Sequence, residues 1–280
     1  MSKYDMEINL LSGALGAEIK GINLKDNSIK NFKKINKLLL EHKVIFFREQ
    51  DITAEEHINL ANCFGNIETH AYVKSRKKYP EILRIIKEAN EKNQWGEGWH
   101  SDVSYNYKPT KAVILKSIKI PPIGGDTVFS NMELAWKTLD DGIKKIVKNK
   151  KAIHSSLGAA YFVKNYRSME SNGNYDEYSN EHPILRTHPE TGKKILFVNW
   201  TYTKKIVGMK KKESDEILNK IFQHQERLDL TCRFKWTKNA VAIWDNRSVN
   251  HYAISDFFPG RGLGYKRIMD RIAIEGDKPN

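Results

Sequence analysis

The chain has little cysteine. Cys63 and Cys232 are its only two in 280 residues, and no CxxC occurs. A disulfide framework is therefore not expected, and a reducing cytoplasm is the expected location. No apolar run approaches the roughly 20 residues that span a bilayer. The opening MSKYDMEINLLSG has no basic segment leading into an apolar one, so no signal peptide is expected. Internal repeats and low-complexity linkers are also lacking, which predicts one domain over 1–280. HExxH is absent as well, which removes the commonest helical zinc-hydrolase signature.

What is present is a foldable composition, with 40% hydrophobic and 10% aromatic residues. The formal net charge is +13. Such a charge suits nucleic acid or acidic ligands, but the basic pairs are scattered (Lys33-Lys34, Lys77-Lys78, Lys144-Lys145, Lys204-Lys205, Lys210-Lys211-Lys212). They are not interleaved with aromatics, which favours a solvated lysine-rich surface. No nucleic-acid or membrane partner is expected, and homo-oligomerisation stays open.

The apolar, β-branched runs KVIFFREQ (43–50) and EILRIIKE (81–88) predict strands. Thr53 and Glu56 have capping-box spacing ahead of a helical stripe that Gly65 closes. A helical period also starts near residue 28. After residue 98, short strand candidates recur between Gly, Pro, Asn and Asp: WHSDVSY, KAVILKSIKI, GDTVFSN, HPILRTHP, KKILFVN, CRFKWTKN, AVAIWDNR and YKRIMDRIAIEG. Helices are expected near 131–148 and 212–227, the second starting at Ser214. The expected fold is α+β and β-rich, a sandwich or barrel with helices outside.

On a strand, His100 and Asp102 in WHSDVSY would face one way. An imidazole and a carboxylate side by side can share a metal, with His251 in AVAIWDNRSVNHYA as the best third ligand. Two histidines and one carboxylate leave coordination positions open and suit non-haem Fe(II). Zinc is the rival metal, and a zinc hydrolase on the same three residues is the alternative function. An HxD pair alone is a weak signal among nine histidines. Arg267 and Arg271, at i and i+4, would share a strand face. They suit bidentate carboxylate or sulfonate recognition, or else an exposed basic face with Asp270 as local partner. Spacing leaves both readings open.

Taken together, LSGALGAEIKGINL, VIFFREQDITAEEHINLANCFG, WHSDVSY, PPIGGDTVFSNMELAW, LRTHPETGKKILFVN and WDNRSVNHYA resemble the taurine dioxygenase (TauD/TfdA) family of Fe(II)- and 2-oxoglutarate-dependent oxygenases. The resemblance implies a double-stranded β-helix, or jelly roll, of the cupin kind. It implies His100, Asp102 and His251 as iron ligands. Thr127 and Arg267 would hold the distal carboxylate of 2-oxoglutarate. Arg271, His70 and the backbone of Val103 would lie on the substrate side. The implied reaction hydroxylates a small anionic organic substrate with O₂, releasing succinate and CO₂. Asp102 argues against halogenation, while desaturation stays open. Three departures stand out. Gly96 replaces a substrate-binding amide, Val73 an aromatic hydroxyl, and five extra residues in FFPGRGLGYKR make Arg261 a lesser claimant to the cosubstrate. Tyr105, Phe197 and Tyr202 are candidate pocket walls, although ordinary core packing is the more frequent fate of such aromatics.

Overall fold

The structure, a computed structural model, describes residues 6–91, 95–165, 170–257 and 264–280, apart from the side chains at 161, 162 and 165. The chain opens with β1 (Glu7–Leu10) and β2 (Ala17–Lys20), then α1 (Ile29–His42), β3 (Val44–Phe47), α2 (Ala54–Asn62), β4 (Ile67–Glu68) and β5 (Leu83–Lys87). Next come β6 (Ala112–Lys119), β7 (Thr127–Asn131), α3 (Met132–Thr138), α4 (Asp141–Val147), β8 (Lys151–Ser155) and α5 (Leu157–Asn165). They are followed by β9 (Ser179–Pro183), β10 (Leu185–Thr187), β11 (Lys194–Leu196), β12 (Thr203–Ile206) and α6 (Lys211–Gln225). The last strands are β13 (Thr231–Phe234), β14 (Val241–Asp245), β15 (Val249–Ala253) and β16 (Arg267–Ile274).

The major sheet has the order β1-β2-β3-β14-β6-β16-β4, and β5 adds to β16. Its central strands read as unbroken apolar runs because both faces are covered. On one face Ile45, Phe47, Ile114, Val241, Ile243 and Ile272 pack under α1 and α2, against Ile35, Leu38, Leu39 and Leu60. The alternate residues Val44, Phe46, Leu115, Trp244 and Met269 face the second sheet, β13-β7-β15, and meet Phe129, Phe234 and Val249. Phe46 stacks on Phe234 at 4.0 Å between ring centroids. This is the sandwich of a jelly roll, with helices outside it. A third apolar cluster lies beneath α3 and α6.

The capping box stands as read. Thr53 Oγ1 accepts the Glu56 N–H and Glu56 returns the bond to the Thr53 N–H. Four expectations are corrected. The 131–148 helix is two helices, because Asp140 caps a new start by accepting the Ile143 N–H. The last helix starts at Lys211, not Ser214. Ser214 is buried in its first turn, where its hydroxyl accepts the Ile206 N–H. HPILRTHP is divided between the end of β9 and the short β10. WHSDVSY is not a strand. Only His100 makes a bridge, and the chain then turns, with Val103 at φ +43°. A β-branched residue in the left-handed region cannot continue a ladder.

Candidate metal centre and pocket

The bridge that His100 makes is with His251 on β15. Each N–H donates to the other's carbonyl, at 3.0 and 2.8 Å. Direct cross-strand partners point to one face, and the two imidazole centroids are 4.1 Å apart. Phe129 stacks on the His251 ring and Trp244 lies 4.8 Å away, so the ring cannot swing. Asp102 joins from the turn. One carboxylate oxygen is 3.8 Å from His100 Nε2 and the other 3.6 Å from His251 Nε2. A ligand atom from each of the three side chains lies within 4.8 Å of the others. They converge as expected, but from one bridge and one turn rather than from a shared strand face.

The donor set fits a divalent cation. His100 Nδ1 is 2.8 Å from the Gly98 carbonyl, which can only accept, so Nδ1 donates to it and Nε2 is the nitrogen turned toward the trio. Burial, and then His100 as neighbour, push the His251 imidazole down to about 3, so it is neutral. Burial would raise the Asp102 carboxyl, but the Arg271 guanidinium and both histidines outweigh it and hold it at about 2. Asp102 Oδ2 is buried and finds no hydrogen-bond partner among the described residues. An ionised, buried carboxylate oxygen without a hydrogen-bond partner, beside two imidazoles, is what a metal satisfies.

Two recesses open from this trio. The inner one is lined by Thr127, Arg267, Arg271, Ile85, Leu115 and Trp244. Thr127 Oγ accepts the Trp236 indole N–H at 3.0 Å and keeps its own O–H as a donor. Arg267 and Arg271 share the face of β16 that their spacing predicted, and the choice that spacing left open falls on burial: both line this recess rather than an exposed basic face. Asp270 faces the other way, where Arg84 and Arg76 bind it, so it is not their partner. Arg271 pairs instead with Asp102, its Nη2 lying 3.3 Å from Asp102 Oδ1.

The outer recess has a volume of about 330 Å³ and contains His70, Val103, Arg271, Gly96 and Tyr202 in its wall. His70 Nδ1 accepts the Tyr72 N–H at 3.1 Å. Burial and the Arg271 charge push its ring down to about 3. It is therefore a neutral ring with its remaining N–H on Nε2. Sequence reasoning missed Trp95, Glu97, Gly158, Ala159, Trp200, Thr201 and Lys204, which also line this wall. They lie in segments that carry no motif, and only the folded chain brings them together. Tyr202 is a pocket wall, whereas Tyr105 is buried beside Tyr72 and Tyr202. Phe197 is core, stacked on His154 under the Arg186 guanidinium. Val73 bridges Ser171 and lines neither recess. Arg261 lies outside the described residues.

A model of the taurine catabolism dioxygenase TauD, TfdA family matches residues 7–272. The chain belongs to this family. A crystal structure of a taurine dioxygenase from Burkholderia xenovorans superposes with a TM-score of 0.82 at 32% identity, covering 99% of this chain and 93% of that one. An alkylsulfatase from Acinetobacter baylyi is 31% identical over 97% of this chain and 86% of its own length. An alpha-ketoglutarate-dependent sulfate ester dioxygenase from Pseudomonas putida is 29% identical over 98% and 91%. TauD/TfdA membership carries an Fe(II)- and 2-oxoglutarate-dependent oxidoreductase class, and the zinc-hydrolase alternative finds no support in it. Among the described residues, no helix is long and apolar enough to cross a membrane.

Proposed function

We propose that residues 1–280 form one dioxygenase unit in which His100, Asp102 and His251 hold Fe(II). Thr127 and Arg267 take the distal carboxylate of 2-oxoglutarate in the inner recess. His70, Arg271 and the Val103 backbone face an anionic organic substrate in the outer one. When bound, the iron supplies O₂ activation driven by oxidative decarboxylation of the keto acid to succinate and CO₂. The rest is the work of the chain. A hydroxyl and a guanidinium clamp one carboxylate, and a guanidinium with a neutral N–H donor suits a second anion. The apolar wall of Trp95, Val103, Ala159, Trp200 and Tyr202 keeps water from the reacting carbon.

The observation that carries this reading is the convergence of three donors beside two arginine-lined recesses, with Asp102 Oδ2 left without a hydrogen-bond partner among the described residues. The relatives named for sulfate esters favour sulfate esters and sulfonates as the substrate class. The test is O₂-dependent succinate release from 2-oxoglutarate with Fe(II), screened over alkyl sulfates, sulfonates and carboxylates. His100→Ala abolishes it. Arg267→Ala raises KM for 2-oxoglutarate about 10–100-fold, the value of a charge-assisted hydrogen bond or two. Protein that binds no 2-oxoglutarate in the presence of Fe(II) refutes the assignment.

A further inference from the structure

We propose that Asn246 is a positioning residue whose carboxamide stands in for a missing strand and sets the Asp102 carboxylate against the two imidazoles. The inference rests on Asp102 being a metal ligand. It starts from the broken ladder. His100 pairs with His251, but among the described residues no backbone pairs with Asp102. Instead Asn246 Oδ1 accepts the Asp102 N–H at 2.8 Å, and Asn246 Nδ2 donates to the Asp102 carbonyl at 3.1 Å. One side-chain amide thus makes the two bonds that a neighbouring peptide would make. Its second N–H donates to the Thr110 carbonyl at 2.9 Å, which ties down the far side of the turn. Ser101 adds a bond from its hydroxyl to the Asn246 carbonyl at 2.8 Å.

Asn246 is itself held firmly. Its N–H donates to the Lys111 carbonyl at 3.0 Å, and it is 1% exposed. It lies in the turn between β14 and β15, five residues before His251 in the chain. The same short segment therefore carries one imidazole covalently and grips the carboxylate ligand by hydrogen bonds. Val103, strained at φ +43°, follows directly and needs such an outside hold. Asparagine fits this task because only a carboxamide both accepts and donates across a peptide. Aspartate keeps the acceptor alone, and alanine keeps neither.

The test measures Co(II) affinity of the whole chain by calorimetry, beside kcat and KM. Asn246→Ala is expected to weaken Co(II) binding about 10–100-fold, as loss of a partner behind a ligand does, and to lower kcat with little change in KM for 2-oxoglutarate. Asn246→Asp is expected to fall between alanine and the native protein. Ser214→Ala, which removes a buried hydrogen bond that involves none of the three donors or Asn246, is the control and should leave Co(II) affinity unchanged. Native Co(II) affinity in Asn246→Ala, or equal weakening in Ser214→Ala, overturns the proposal. Should Asn246→Ala not fold, amide exchange of the native metal-free protein decides. Protection of the Asp102 amide equal to that of β15 supports the role, and loop-like exchange overturns it. Failure of the ligand reading shows separately, as Co(II) binding that His100→Ala leaves intact.

Discussion

Replacing Arg271 by methionine isolates the charge that Asp102 leans on. Methionine keeps the apolar stem and removes the guanidinium. In the native protein Nη2 lies 3.3 Å from Asp102 Oδ1, and both side chains are at most 12% exposed. At an effective dielectric of about 20, Coulomb attraction at that separation is about 5 kcal/mol. Removing one partner of a buried pair costs about 3–5 kcal/mol, because the other charge is stranded. In a chain this long each kcal/mol moves Tm by about 2 °C, so the metal-free variant should unfold about 6–10 °C lower. Co(II) brings the missing positive charge to the same carboxylate. It should therefore restore most of the loss in Arg271→Met and raise the native Tm by less. Differential scanning calorimetry with and without Co(II) measures both. The reasoning is refuted if metal-free Arg271→Met melts at the native temperature, or if Co(II) raises both proteins equally.

Two further outcomes follow from other parts of the molecule. A Cβ at Gly158 meets nothing within 4 Å, and Gly158 lines the outer recess, so a benzyl group there intrudes on the substrate's space. Gly158→Phe should lower kcat/KM for long-chain alkyl sulfates at least about tenfold while sparing short ones, and an unchanged chain-length profile in the succinate assay would count against the assigned cavity. His57 and His182 are enclosed, and burial pushes both rings down to about 4. Their unfolded value is about 6.5, so the unfolded chain binds more protons and each ring's contribution, full above that value, is lost at up to about 1.4 kcal/mol per pH unit as pH falls toward 4. Urea unfolding of the metal-free protein from pH 7 to 5 should show this decline, and a flat profile would exclude it.

Much of the scaffold could be read from the residues, for physical reasons. VIFF and AVAIW announce themselves because both sheet faces are covered, and Thr53 with Glu56 satisfies a helix end locally. Short polar strands such as β8, β9 and β12 gave no such signal, since KAIHS, SNEHP and TKKI gain their partners only from each other. The 131–148 stretch hid its break because Asp140 resembles an ordinary helical residue until it caps. At the site, residue types and family motifs named the three donors and both arginines. Their geometry was misjudged. Alternation along WHSDVSY suggested a strand, while a side-chain amide 144 residues away made the turn possible. The partner of Arg271 was equally hidden, because Asp270 is nearer in sequence and faces elsewhere.

The reciprocal backbone hydrogen bonds between His100 and His251 give the centre a permanence that does not come from the ion. Both imidazoles hang from backbone already tied into the sandwich, so under the proposed assignment an ion lost or oxidised would leave its berth standing. Reloading then asks for diffusion and dehydration rather than refolding, and an inactivated molecule can return to service when ferrous ion and reductant are restored.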